Sequence, residues 1–437
     1  MQTVRNFRGS ILIALYLLVP TLFWLAANTP FIVSTTVLWS IAKYMGRLTA
    51  LWGVLLLFLN FILSIRRAFL GKIFNGLNRV YIIHHLIGAY SFILLLVHPM
   101  LSLGQYIQYS ISTAYAYLIP SRINIPIYMG IFALLTMIAL LVITFFIPLR
   151  YDRWKNTHKY LGVVLLPATL HFINISPSIQ NSPALKIYML FFLALAVISF
   201  LYKTVLGKVL IPKYKYTVSS VHVTGDSVTE IALTPVGKKM KYHAGQFLFV
   251  TFDSLGVTNE EHPFTIASSP NDDAISICAK SLGDYTETLK LLKVDSPATL
   301  QGPFGAFSYT NYPNPKQIWI AGGIGITPFL SMARSLTPDT NTTITLFYVV
   351  KTVEEVLFAE ELSRIANTNP NFTFYIYSSD HMKERINASY VAAVTPDTAI
   401  SDIFVCGPPP MMKSLKSQFK KKGVKGSAIH TEEFALS

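Results

Sequence analysis

Hydrophobic and polar positions divide the chain into two regimes. Up to about residue 206, apolar residues run in long blocks with few charges; beyond about 213 they alternate with polar residues over short runs. Six blocks, at 10–27, 46–65, 80–103, 126–148, 157–175 and 184–205, are long enough to cross a hydrocarbon core of about 30 Å. They predict a six-helix transmembrane bundle over residues 1–209. The runs Tyr216-Thr-Val-Ser-Ser-Val, Val228-Thr-Glu-Ile-Ala-Leu, Gln246-Phe-Leu-Phe-Val-Thr-Phe and Ala274-Ile-Ser-Ile-Cys then alternate between turn residues. That pattern predicts a small antiparallel β-barrel over 210–312. After Pro313-Asn-Pro315, apolar strands alternate with a glycine turn and helical stretches. Such alternation predicts an α/β doubly wound parallel sheet over 313–437. The expected fold is a multidomain membrane protein.

Charge changes the picture by giving the bundle a direction. The 437 residues are 52% hydrophobic and carry a formal charge of +14. The basic residues cluster at the ends of the apolar blocks rather than on one face, which argues for membrane topology and against a nucleic-acid partner. Arg5 and Arg8 precede the first block, and Arg66, Arg67, Lys72 and Arg79 separate the second from the third. Arg150, Arg153, Lys155 and Lys159 separate the fourth from the fifth; Lys203, Lys208, Lys213 and Lys215 follow the sixth. The alternate loops carry little: Lys43 and Arg47, Arg122, and Lys186. The positive-inside rule therefore predicts a multi-pass protein of the cell membrane with both termini and the polar half in the cytoplasm. Cys278 and Cys406 are the two cysteines, both in the polar half, so no disulfide framework is expected. The first block lacks a small-residue cleavage site and is expected to stay as a helix rather than leave as a signal peptide.

Two apolar blocks carry matched histidines. One reads His84-His85-Leu-Ile-Gly88 and continues to His98; the other reads His158-Lys-Tyr-Leu-Gly162 and continues to His171. Imidazole is costly in lipid and faces a bundle interior where it binds something, and neutral imidazole is a strong axial ligand of haem iron. The 14 residues from His84 to His98 give about 21 Å of helix and a return to within about 40° of the same face. The 13 residues from His158 to His171 leave about 140° on an ideal helix, but Pro167 lies between them and can re-register it. His85 competes with His84, its 13-residue gap to His98 matching the other helix. The expectation is two bis-histidine haems: His84 (or His85) with His158 nearer the cytoplasm, and His98 with His171 farther out. The alternatives are interior hydrogen bonding or a path for a transported ion.

In the barrel region His262-Pro-Phe-Thr-Ile-Ala-Ser-Ser269 stands with Lys280-Ser-Leu-Gly-Asp-Tyr-Thr286 and Gly302-Pro-Phe-Gly305. A flavin needs an apolar or aromatic face, donors to its ring edge and amides for its diphosphate. His262, Pro263, Phe264, Thr265, Ser268, Gly283, Thr286, Gly302 and Phe304 are the candidates for FAD, with Phe264 and Thr265 at the ring. Ser268, Gly283 and Thr286 are placed nearer the phosphates.

In the last region Ala321-Gly-Gly-Ile-Gly-Ile-Thr-Pro328 follows a strand and opens a helix, a setting in which amides meet a pyrophosphate. Gly322, Gly323, Gly325, Thr327 and Pro328 are its candidates for NAD(P)H. Cys406-Gly-Pro-Pro-Pro-Met411 repeats the geometry later, giving Cys406, Gly407 and Pro408 for the nicotinamide end, with a small core residue as the plain alternative for Cys406. Phe434 is a candidate to stack on the flavin, or to pack in a terminal strand. Thr265, Cys406 and Phe434 are the candidates for the point of hydride transfer.

With these strings, and with Glu432-Glu-Phe434 near the end, the chain resembles the ferric reductase and NADPH oxidase superfamily over nearly its whole length. The resemblance implies FAD, two haems b and NAD(P)H, with electrons passing from cytosolic NAD(P)H to FAD, the inner haem, the outer haem and an outside acceptor. Without a calcium-binding or peroxidase-like extension it looks like a minimal, prokaryotic-type member. It departs from the pattern of NADPH-preferring relatives after the second strand of the nucleotide domain, where Lys351-Thr352 stands in place of an Arg able to fork a 2′-phosphate. Lys351 as a point charge, with Ser378, Ser379 or Arg385, is the candidate for that phosphate, and a solvated lysine is the alternative. The expected acceptor is O2, giving superoxide; a ferric chelate and a periplasmic protein partner are the alternatives. Arg122 is a candidate to attract an anionic acceptor or to anchor at the interface, and Tyr106, Tyr109, Tyr115 and Tyr117 are expected in an interface belt. A redox-regulated transporter is the reading from another class; it requires polar groups along a midplane path.

Overall fold

The computed structural model describes residues 2–33, 38–65, 67–74, 76–107, 110–119, 124–149, 151–207, 211–225 and 227–432. The chain forms two compact units. One comprises Phe7–Leu70 with Arg79–Leu210, and the other Ile211–Ser437 with the short stretches Met1–Asn6 and Gly71–Asn78.

The first unit is helical. The helices up to residue 200 are α1 (Gln2–Val33), α2 (Leu38–Leu63), α3 (Ala68–Phe74), α4 (Leu77–Ile107), α5 (Ile111–Leu118), α6 (Ile125–Phe146), α7 (Tyr151–Lys159), α8 (Leu165–Ile175), α9 (Pro177–Gln180) and α10 (Pro183–Phe200). The starts of α6 and α10 are written locally: Asn124 and Ser182 accept from the amides of Ile127 and Leu185, and Pro126 and Pro183 sit in the first turns. Among the described residues, five helices are long and apolar enough to span a membrane, over Arg8–Asn28, Ile41–Leu63, Arg79–Gly104, Ile125–Phe146 and Pro183–Val205. The other expected span, 157–175, is interrupted: α7 passes through a 3-10 stretch, Tyr160–Val164, before α8. Pro167 is the physical reason, because it offers no N–H to the preceding turn. α2 packs on α10 and α6 on α8, around the fully buried Leu55, Phe58, Leu185 and Ala196.

The second unit holds two sheets. The antiparallel one has strands β1 (Tyr214–Thr224), β2 (Val228–Pro235), β3 (Phe247–Phe252), β4 (His262–Thr265), β5 (Ile275–Lys280) and β6 (Pro297–Phe304), in the order β4-β3-β6-β1-β2-β5. It curls, so that its two edges meet at the single bridge between Ile266 and Ile277. The parallel sheet has β7 (Lys316–Gly322), β8 (Thr343–Val350), β9 (Phe372–Ser378), β10 (Asp402–Cys406) and β11 (Ile429–Glu432), in the order β11-β10-β7-β8-β9. β10 is buried along its whole length, as a strand covered on both faces must be. The order reverses between β7 and β10, and a crevice at such a reversal is where an open α/β sheet binds ligands.

Arg334 ties the helices beside the parallel sheet to the antiparallel sheet. It ends the helix Thr327–Arg334 and forks Glu361 at 2.7 and 2.9 Å. Its remaining nitrogen, Nη1, reaches Glu230 on β2 at 3.4 Å, the Ala267 carbonyl at 3.0 Å and the Ser276 hydroxyl at 3.2 Å. These charge-assisted bonds balance a largely buried guanidinium.

Candidate functional site

In the helical unit the four histidines of the matched blocks come together in two pairs. The rings of His84 and His158 stand 6.2 Å apart, and those of His98 and His171 stand 6.3 Å apart. His85 is exposed, with its ring 5.9 Å from that of His84. The 3-10 stretch explains how unequal spacings give equal pairs. Five residues at three per turn add about 100° to the ideal rotation, which reduces the offset of the 13-residue gap from about 140° to about 40°. That offset equals the one between His84 and His98. The axial rise also agrees, at about 22 Å against about 21 Å.

Three of the imidazoles are aimed by backbone carbonyls. Nδ1 of His84 lies 3.1 Å from the Asn60 carbonyl, that of His98 lies 2.8 Å from Gly46, and that of His171 lies 2.8 Å from Pro126. A carbonyl only accepts, so each Nδ1 carries the proton and each Nε2 keeps its lone pair. That is the tautomer of a metal-binding histidine with a supporting second contact. An ion about 2 Å from each of two opposed imidazole nitrogens sits between ring centres roughly 6 Å apart, as both pairs provide. The residues therefore fit bis-histidine haem. Glycines make the room: a Cβ on Gly130 would fall 2.5 Å from His171 Nδ1, and one on Gly88 2.8 Å from Asn60 Nδ2. At Gly162 a Cβ would collide with the Phe200 ring.

In the curled sheet the His262-to-Ser269 string begins as the edge strand β4. Thr265 is buried on β4 and its Oγ1 has no hydrogen-bond partner among the described residues, and neither has the buried hydroxyl of Tyr285. Unmet polar groups of this kind fit a bound molecule with matching acceptors or donors, as a flavin edge is. His262 stacks on Tyr285 at 3.7 Å and meets Glu260 at 3.0 Å. Pro263 pairs with Phe249, and Phe264, half-buried, pairs with Leu248. Phe304 packs on Phe247 and Phe249 at 5.8 and 5.5 Å, just after Gly302. Gly283 faces open space, while Thr286 Oγ1 accepts from the amides of Leu282 and Gly283. Ser268 points inward. Its hydroxyl lies 2.8 Å from the Tyr242 hydroxyl and accepts from the Ser276 amide, and its carbonyl accepts from Ser331 at 2.6 Å. It holds the string in shape rather than presenting its hydroxyl to a phosphate. Tyr242, Ser331 and Arg334 were not visible as site residues in the sequence, because each is a lone polar residue whose partners are distant in the chain.

At the sheet reversal the glycines divide their work. A Cβ on Gly322 would meet Met411 at 2.7 Å and Pro408 at 2.9 Å, one on Gly407 would meet the Gly322 Cα at 2.9 Å, and one on Gly325 would collide with the Cys406 carbonyl. These three let the two turns touch. Gly323 alone of the four has open space, at φ +53°. It precedes the helix Thr327–Arg334, which has Pro328 in its first turn. Thr327 is buried, its hydroxyl donating to the Ile324 carbonyl. Cys406 is fully buried, and burial pushes its thiol far above the usual range. Lys351 is exposed; its carbonyl accepts from the Ser378 hydroxyl and the Asp380 amide, both at 3.0 Å, and its own amide donates to Glu355. The Ser379 hydroxyl donates to the Val350 carbonyl, and Arg385 is exposed. Phe434, Arg122 and Tyr109 lie outside the described residues.

Residues 49–169 match the family of ferric reductase like transmembrane components, 213–321 a FAD-binding domain and 319–417 the oxidoreductase NAD-binding domain. Dual oxidase 2 of Rattus norvegicus is 32% identical over 130 residues, 25% of this chain and 8% of its own. The chain belongs to the ferric reductase and NADPH oxidase superfamily. This superfamily member also resembles the glycine betaine monooxygenase reductase subunit of Chromohalobacter salexigens, 33% identical over 211 residues, 45% of this chain. The match spans 57% of that reductase and 50 to 62% of the next three relatives. A flavohemoglobin from Malassezia yamatoensis, solved with FAD and heme, aligns over 94% of this chain and 98% of its own at a TM-score of 0.50 and 14% identity, a likeness of fold. The superfamily's three parts thus occur here in order, and its FAD and nucleotide domains are those of an NAD(P)H-dependent oxidoreductase.

Proposed function

We propose that this chain carries electrons from cytosolic NAD(P)H through FAD and two b-type haems across a six-span bundle to an acceptor outside, with O2 reduced to superoxide. The observation that supports it most is the pair of histidine pairs at 6.2 and 6.3 Å, three of the four rings held with Nε2 available. His84 and His158 would hold the inner haem, His98 and His171 the outer. When bound, FAD takes hydride and releases electrons singly, and the haems relay them one at a time.

The protein's own part is position. Gly323 and the helix after it would receive the diphosphate of NAD(P)H, and Thr265 would meet the flavin ring edge. Lys351 remains the candidate for reading the 2′ position. Each NAD(P)H gives two electrons, so two O2 become two superoxide ions while one proton stays in the cytoplasm. The match to the ferric reductase like component favours a second acceptor, a ferric chelate, with two ferric ions reduced per NAD(P)H.

Purified protein should show a six-coordinate bis-histidine absorption spectrum that NAD(P)H reduces in the presence of FAD. Steady-state NAD(P)H consumption with O2, with a ferric chelate and with neither identifies the acceptor. An equal rate without either would overturn both acceptors, and protein that binds no haem would overturn the electron path.

A further inference from the structure

Of the four paired imidazoles, His158 is held differently. Its Nδ1 is buried and finds no hydrogen-bond partner among the described residues, whereas the other three meet carbonyls. What His158 has instead is an indole. Trp154, one turn earlier on α7, lies nearly parallel to the imidazole, with ring centres 5.4 Å apart and planes 13° apart. The indole is itself fixed, because its Nε1–H donates to the Thr144 carbonyl at 3.2 Å near the end of α6. Thr144 is buried, and its hydroxyl donates in turn to the Leu140 carbonyl at 2.7 Å.

A histidine side chain has two soft torsions, and a carbonyl at Nδ1 fixes both plane and tautomer. An anchored aromatic wall fixes the plane alone. It also leaves the imidazole a poorer electron donor, since the proton on Nδ1 is not drawn toward an acceptor.

We propose that Trp154 is the positioning residue of His158, doing by stacking what the carbonyls of Asn60, Gly46 and Pro126 do for the other three rings. One iron therefore has a ligand aimed by an indole, and the potential of that haem alone depends on Trp154. This rests on the haem reading above.

The test compares wild-type protein with Trp154→Leu, which removes the wall, and Trp154→Phe, which keeps a ring but loses the N–H anchor. Haem per polypeptide, low-spin electron paramagnetic resonance and a redox titration are the readouts. In Trp154→Leu one of the two titration waves should move or vanish, with its resonance, while the other stays. Trp154→Phe should keep both haems and displace the same wave less. Two unmoved waves in Trp154→Leu, a shift of both waves together, or equal effects of Phe and Leu would overturn the proposal. Wild-type protein without haem would instead bring down the haem reading, and this one with it.

Discussion

Gly130 faces His171 so closely that a Cβ on the glycine would stand 2.5 Å from Nδ1 of the imidazole. The contact is between α6 and α8, and the same ring is held by the Pro126 carbonyl, one turn earlier on α6. Gly130→Ala must push the imidazole away or part the helices, at an overpacking cost of about 1–3 kcal/mol. The expected outcome is a fall in haem from two per chain toward one, read by pyridine haemochrome assay, with flavin binding unchanged.

Pro167 and the 3-10 stretch before it set the register of His171. Pro167→Ala restores the missing N–H and favours a continuous α-helix, which would rotate His171 by about 100° relative to His158. Loss of the outer haem without loss of helical content by circular dichroism is expected. Retention of both haems would show that the 3-10 turn is held by something other than the proline.

Thr265 carries a buried hydroxyl that meets no partner among the described residues. Thr265→Val should stabilise the flavin-free protein by about 1 kcal/mol, since an unsatisfied group is removed. It should weaken FAD binding about tenfold if that hydroxyl meets the ring. Thermal unfolding with and without FAD reads both signs, and Thr265→Ser should restore the affinity.

Arg334 bonds four groups, Glu361 on the helix Ala359–Thr368 and Glu230, Ser276 and the Ala267 carbonyl in the region of the antiparallel sheet. Arg334→Met leaves Glu361 and the Ala267 carbonyl without their donor, at a cost of roughly 1–3 kcal/mol. A lower melting temperature is expected together with slower reduction of FAD by NAD(P)H in stopped flow. Glu361→Gln, which keeps an acceptor oxygen, should fall between the two.

Burial holds the thiols of Cys278 and Cys406 well above their ordinary range. Both stay protonated in the folded protein at pH values where the unfolded chain ionises, so the unfolded chain binds fewer protons there. Their contribution is therefore complete below the unfolded thiol value of about 8.5. Above it, each thiol costs about 1.4 kcal/mol of stability per pH unit. Melting curves between pH 8 and 10 should fall more steeply for wild type than for Cys278→Ala or Cys406→Ala, and neither thiol should alkylate in the native state at neutral pH.

Much of this arrangement was legible in the sequence because it is periodic or tightly clustered. The histidine spacing pointed to two pairs, and the 13-residue gap with Pro167 already implied a change of pitch. Counting apolar residues did not show that 157–175 breaks into α7, a 3-10 turn and α8, since hydropathy does not register pitch. The glycine turn was read as one phosphate cradle, yet Gly322, Gly325 and Gly407 serve contact between turns and Gly323 alone opens outward. Spacing cannot separate a glycine needed for a ligand from one needed for a neighbour. Ser268 illustrates the same limit, because its inward hydroxyl depends on Tyr242 and Ser276, which no local string announces.

Where Gly322 meets Gly407, main chain lies against main chain, with the side chains of Met411 and Pro408 packed on the contact. On the proposed reading, a dinucleotide there would meet mostly backbone, whose dipoles are alike in every protein. On that reading, selection for one coenzyme over another would act on the periphery, at candidates such as Lys351. Such positions would be free to drift while the proposed grip on the diphosphate stays the same, so a change of coenzyme would need no rebuilding of the floor.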